Sequence, residues 1–182
     1  MFEEIIVAGA GGQGVLVLGE VLAIAAVKAG NKATWLPAYG PEMRGGTANC
    51  SVVLSSKEIG SPLVQEPSLL VCFNQPSITK FGPATAKGGK IFANADTIEE
   101  YPQMKEGVEI IKIKVNSLAA ALGDERALNM VMLGAVLKKS AFVTLESCAL
   151  ALRDIWGAKA EELLPTSLKA MRSGQEAVAG QA

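Results

Sequence analysis

Three short segments of this chain carry residue types and spacings suited to holding a ligand. Gly9-Ala10-Gly11-Gly12-Gln13-Gly14 fits the pattern GxGxxG. Glycines there permit a tight turn, and a helix opening after them offers free N–H groups to an anion. Tyr39-Gly40-Pro41-Glu42-Met43-Arg44-Gly45-Gly46-Thr47-Ala48-Asn49-Cys50 can fold back sharply, and it brings two opposite charges, Glu42 and Arg44, close together. A guanidinium beside glycine-rich backbone suits an anion. Asn74-Gln75-Pro76 supplies two amides that could meet a ligand, or cap a following helix, which for Asn74 is the commoner role.

The glycine segment has three readings. A dinucleotide site requires an acidic residue at the end of the second strand, about 20 residues on, to hold the ribose. That stretch reads Trp35-Leu36-Pro37-Ala38, without a carboxylate, and Arg44 comes only well into the following segment. The glycines could instead serve close packing of strand and helix alone. A phosphate or carboxylate of some other ligand is the third reading. A P-loop is excluded, because GxxxxGK[ST] does not occur. For the second segment, an ion pair between Glu42 and Arg44, or contact with a partner subunit, stands beside the anion reading.

Other chemistry is missing. The chain has no histidine, which removes the commonest general base and metal ligand. Its three cysteines, Cys50, Cys72 and Cys148, are far apart and form neither a CxxC nor a ferredoxin-type run. No catalytic residue and no metal ligand is therefore nominated. Isolated thiols also suit a reducing compartment.

The elements that must position these segments follow from periodicity. Ile5 to Ala8 reads as a buried parallel strand, and Val15 to Lys28 as a helix apolar on nearly every face. Such a helix must be covered twice, by the sheet and by either a further helix layer or another protein. Further strands are expected at Lys32 to Leu36, Thr47 to Ser55, Leu69 to Phe73, Lys90 to Asn94 and Val108 to Val115, the last near a sheet edge. Lys57 to Ser61 is a candidate hairpin partner for Thr47 to Ser55, and Pro76 opens a short helix. Helices are predicted at Ser117 to Leu122, Ala127 to Lys138, Leu145 to Ile155 and Ala158 to Val178, with Pro165 kinking or restarting the last. The expectation is one domain, residues 1–182, of the α/β class. It is a three-layer α/β/α domain with a mostly parallel or mixed sheet, a Rossmann-like first βα unit and a helical C-terminal third. Loops leaving the carboxyl ends of its parallel strands should bring the first two segments together.

Composition narrows the partners. The chain is 49% apolar but only 5% aromatic, with a net charge of -1 spread along its length, so nucleic acid is not expected. Met1-Phe2-Glu3-Glu4 lacks the basic region of a signal peptide, and Val15 to Val27 is too short and too charged to span a bilayer. A cytoplasmic protein without membrane attachment is expected.

Taken in order, GAGGQG, YGPEMRGGTANC and FNQPS resemble the γ subunit of the 2-oxoacid:ferredoxin oxidoreductases. The resemblance extends over essentially the whole chain, including the helices around Leu164-Pro165. It is strongest toward the 2-oxoglutarate type, followed by the pyruvate and branched-chain types; indolepyruvate oxidoreductase has a related subunit. It implies a complex that decarboxylates a 2-oxoacid on thiamine diphosphate with Mg²⁺, sends electrons through iron–sulfur clusters to ferredoxin, and transfers the acyl group to coenzyme A. It places those cofactors on partner subunits (α, β, δ or equivalents) and leaves this chain an accessory role, with a homodimer as its form in isolation. On that basis Gly11, Gly12, Gln13, Gly14, Tyr39, Glu42 and Arg44 are expected to form one rim facing the partners, where the glycine-loop amides and Arg44 hold an anionic moiety such as part of coenzyme A. Gly45, Gly46, Asn74 and Gln75 are expected to line the same substrate or interface loops. A stand-alone nucleotide-binding module and a purely structural assembly subunit are the alternatives.

Overall fold

The structure, a computed structural model, describes residues 1–38 and 47–179, apart from the side chain of Thr47. A six-stranded sheet forms its centre, in the order β2-β3-β1-β4-β5-β6. The strands are β1 (Phe2–Ala10), β2 (Lys32–Ala38), β3 (Thr47–Ser55), β4 (Leu69–Cys72), β5 (Lys90–Asn94) and β6 (Glu109–Ile113). β3 runs antiparallel to both β1 and β2, while β1, β4, β5 and β6 are parallel. The carboxyl ends of β1, β2, β4, β5 and β6 therefore lie along one end of the sheet.

Alternation along β1 divides the core. Ile5 and Val7 join a large cluster beneath the helices, while Ile6 and Ala8 face a smaller one on the opposite side. The large side carries α1 (Val15–Lys28), α3 (Val115–Ala121), α4 (Leu128–Leu137), α5 (Leu145–Trp156) and α6 (Ala160–Ala179). Among the described residues the other side is thin, with α2 (Gln75–Phe81) and loops that contribute Ile98, Tyr101 and Met104. The fold is thus α/β with helices on both faces, unequally shared. α1 is covered twice, as its composition requires: β1, β2 and β3 lie beneath it and α4 and α5 pack against it.

Three expectations need correction. Lys57 to Ser61 forms no strand. Both edges of β3 are already filled by β1 and β2, so no ladder of backbone groups remains for a further hairpin. Pro165 does not restart the last helix; α6 runs through it from Ala160, after a single 3₁₀ turn at Gly157–Lys159. β1 also exceeds the expected Ile5 to Ala8, because β3 pairs with it from Phe2 to Ala10 whereas β4 pairs only with residues 5–8.

Candidate functional site

The glycine segment sits where β1 ends and α1 begins, at the carboxyl end of the sheet. Gly12 and Gly14 take positive φ values, +87° and +69°, a backbone shape that favours glycine. Gln13 folds back into the turn: the Ala10 N–H donates to Gln13 Oε1 at 2.7 Å, and the Gln13 N–H donates to the Ala10 carbonyl at 3.3 Å. A Cβ at Gly9 would lie 2.7 Å from that same Oε1 and 2.9 Å from Phe73 Cβ, so close packing requires this first glycine. Gly14 is the N-cap of α1, and no side chain caps the helix. Gly11 and Gly12 are exposed. A shallow hollow of about 380 Å³ opens here, lined by Ala10, Gly11, Gly12, Gly14, Val15, Leu16, Val17 and Ala48.

Tyr39, Glu42, Arg44, Gly45 and Gly46 lie outside the described residues. The strand ends that flank them are described, and their register is informative. Thr47, the first residue of β3, pairs with Ala10 of the glycine turn, and Ala38, the last of β2, pairs with Asn49. The start of β3 therefore lies beside the glycine turn, and the end of β2 lies one strand further out.

Topology also bears on the dinucleotide reading. The ribose-holding acid of a dinucleotide fold stands on the strand next to β1. Here β3 occupies that place, so the end of β2 lies two strand spacings from β1, roughly 10 Å, and bears Pro37 and Ala38 in place of an acid.

Asn74 and Gln75 follow β4 on the same end of the sheet, and both amides are used within the fold. Asn74 Oδ1 accepts from the Ser77 N–H at 3.1 Å as the N-cap of α2. Gln75 Oε1 accepts from the N–H groups of Glu99 (3.1 Å) and Glu100 (3.0 Å), and its Nε2 donates to the Glu100 carbonyl at 2.7 Å. Gln75 thereby ties the chain after β5 to the start of α2.

Sequence reasoning passed over a polar cluster at the neighbouring strand ends. The buried Asn94 donates through Nδ2 to Asn116 Oδ1 at 2.8 Å and to the Phe73 carbonyl at 3.3 Å. Asp96 accepts from the Ser117 hydroxyl at 2.6 Å and from the Ser117 N–H at 2.9 Å. A polar residue closing the apolar run Lys90 to Asn94 was the available signal. Asn129 was passed over as well: it is buried on α4, and its Nδ2 donates to the Gly14 carbonyl at 3.4 Å.

The cysteines do not fit an iron–sulfur cluster. They lie on three separate elements, β3, β4 and α5, and all are buried. Burial pushes the Cys50 thiol up to about 11, a rise the Trp35 indole N–H partly offsets. It pushes Cys148 up to about 12, helped by the charge of Glu146, and raises Cys72 too. A cluster needs thiolates, and these sites disfavour them. Among the described residues no group of three or more His, Cys, Asp or Glu side chains is placed to hold a metal ion. Nor is any described helix long and apolar enough to cross a membrane.

The chain is similar to known proteins over nearly its full extent. It is 43% identical over 131 residues, 72% of its length, to the ketoisovalerate oxidoreductase subunit VorA of Methanothermobacter marburgensis, and spans 27% of that relative. A keto/oxoacid ferredoxin oxidoreductase γ subunit from Geobacter sulfurreducens superposes with a TM-score of 0.82 at 26% identity, covering 98% of this chain and 99% of that one. A 2-oxoglutarate:ferredoxin oxidoreductase from Magnetococcus marinus, solved with 2-oxoglutarate, coenzyme A and succinyl-CoA bound, gives a TM-score of 0.88 at 25% identity. It is covered over 98% of this chain but only 31% of its own, so the fold occurs both as a separate chain and as part of longer ones. The family described as pyruvate ferredoxin/flavodoxin oxidoreductase matches residues 4–177, and the chain belongs to it.

Proposed function

We propose that this chain is the γ component of a thiamine-diphosphate-dependent 2-oxoacid:ferredoxin oxidoreductase. The complex oxidatively decarboxylates a 2-oxoacid, 2-oxoglutarate or a pyruvate-type or branched-chain acid, transfers the acyl group to the coenzyme A thiol and reduces ferredoxin. Residues 1–182 act in it as one domain, in the cytoplasm, and supply no catalytic group. Thiamine diphosphate, Mg²⁺ and the iron–sulfur clusters belong to partner subunits, in keeping with the buried thiols and the lack of a metal-holding group among the described residues.

The chain's own contribution is at the carboxyl end of the sheet. One observation carries this reading: Ala10 of the glycine turn stands opposite Thr47, so the turn and the start of β3 share one spot. Free N–H groups at the start of α1 and the Arg44 guanidinium then have a common place to meet an anion. The phosphate-bearing part of coenzyme A is the ligand of that kind which the reaction uses. Tyr39, Glu42, Gly45 and Gly46 shape the same rim toward the partner subunits.

The test is anaerobic affinity purification of the chain from its host, with native mass spectrometry and a visible spectrum. Larger subunits carrying thiamine diphosphate and iron–sulfur absorption should accompany it, and the complex should turn over a 2-oxoacid. A chain that emerges alone and colourless overturns the proposal. The role at the rim is read by Arg44→Ala in the complex: the KM for coenzyme A should rise, and weakened assembly with an unchanged KM would make the segment an interface device only.

A further inference from the structure

α4, Leu-Asn-Met-Val-Met-Leu-Gly-Ala-Val-Leu, carries one polar side chain, Asn129, and it is 8% exposed. A buried amide in an otherwise apolar helix calls for a partner. Its partner is 115 positions away in sequence: Asn129 Nδ2 donates to the carbonyl of Gly14, which also accepts the Leu18 N–H at 3.0 Å as the first bond of α1. Contact accompanies the hydrogen bond. A Cβ at position 14 would overlap Asn129 Cγ and Nδ2, so the glycine turn and this side chain are fitted to each other.

The turn needs such an outside brace. Gly14 is an N-cap without a side chain, and Gln13 secures only the Ala10 side of the turn. α4 is itself rigidly placed, since its backbone touches that of α6 at Gly134 and Gly174. We infer that Asn129 is a positioning residue: it fixes the Gly14 peptide, and with it the direction of the N–H groups that open α1. This rests on the reading that the glycine turn meets an anionic part of coenzyme A. Asn129 itself touches no ligand and acts through Gly14.

The experiment compares Asn129→Ala and Asn129→Leu with the parent in the purified complex. The Leu variant keeps the approximate size and loses the donor without adding a charge, so it asks the same question if the Ala variant fails to assemble. Amide hydrogen exchange at residues 11–18 and steady-state kinetics in coenzyme A are measured together. The expected result is faster exchange at 11–18 and a KM for coenzyme A raised on the order of tenfold with kcat unchanged. Faster exchange with an unchanged KM supports the positioning role and removes coenzyme A as the ligand of the turn. Unchanged exchange at 11–18 overturns the inference, whatever happens to the melting temperature, because Asn129 would then be a packing residue alone.

Discussion

Gly134 on α4 and Gly174 on α6 stand at the point where the two helix backbones touch. A Cβ added to Gly134 would overlap the Met171 carbonyl, and one added to Gly174 would overlap the Val131 carbonyl. The obstacles are main-chain atoms, which no rotamer change can move aside. α4 can therefore lie buried between the sheet and α6, with residues 129–137 all buried.

Gly134→Ala should accordingly destabilise the chain by about 3 kcal/mol or more, at the top of the usual range for overpacking, despite the better helix propensity of alanine. Gly174→Ala should do the same. Gly60→Ala is the control, since a Cβ there meets nothing within 4 Å. Urea unfolding of the three variants decides the matter; a Gly134→Ala midpoint equal to that of Gly60→Ala would refute the contact.

Gln75 should matter to local order more than to overall stability. Its amide holds Glu99 and Glu100, but these bonds lie at the surface and water can replace them. Gln75→Ala is expected to cost about 1 kcal/mol and to speed hydrogen exchange at the Glu99 and Glu100 amides. Asn74→Ala, which removes the α2 cap, should cost a similar amount without that local signature. Protected Glu99 and Glu100 amides in Gln75→Ala would contradict the assignment.

Much of this fold was legible because its signals are local. The apolar run Ile5 to Ala8 and the mostly apolar α1 gave strand, helix and double coverage from composition and period alone. Strand order was not legible: nothing in Thr47 to Ser55 says that it inserts between β1 and β2, since that depends on pairing along nine residues of β1. The false hairpin at Lys57 to Ser61 came from the same gap. At the site, the glycine turn could be read from spacing, whereas Asn129 could not, because its partner is 115 residues away. Asn74 and Gln75 were legible as amides at a strand end, but their use in capping and bracing depends on where the chain after β5 returns.

The cysteines set an alkaline limit. In the fold Cys50 stays protonated to about 11 and Cys148 to about 12, against an ordinary 9.0, with Cys72 also raised. A thiol raised in the folded state binds its proton where the unfolded chain has released it. Its contribution is complete below pH 9 and is lost as pH rises from there through the folded values. Unfolding midpoints should thus fall from about pH 9 upward, and Cys148→Ala should show a shallower fall. At about pH 8 the native chain should not react with a thiol reagent until it is unfolded. Rapid labelling of the native chain would show that the thiols are open to solvent.

Gly14 and Asn129 should be energetically coupled. Gly14→Ala meets two penalties, the positive φ of +69° and the overlap with the Asn129 side chain. The backbone part alone is worth about 1–2 kcal/mol for a non-glycine residue. Truncating Asn129 to alanine removes the overlapping Cγ and Nδ2 and leaves the backbone part with a tight 2.9 Å approach to the Asn129 Cβ. Gly14→Ala should therefore cost about 3 kcal/mol or more in the parent, but only about 2 kcal/mol in the Asn129→Ala background. A double-mutant cycle by urea unfolding measures the difference, expected to be at least about 1 kcal/mol. Strict additivity would mean that the turn moves away from α4 at little cost, and the close fit between Gly14 and Asn129 would then have no energetic content.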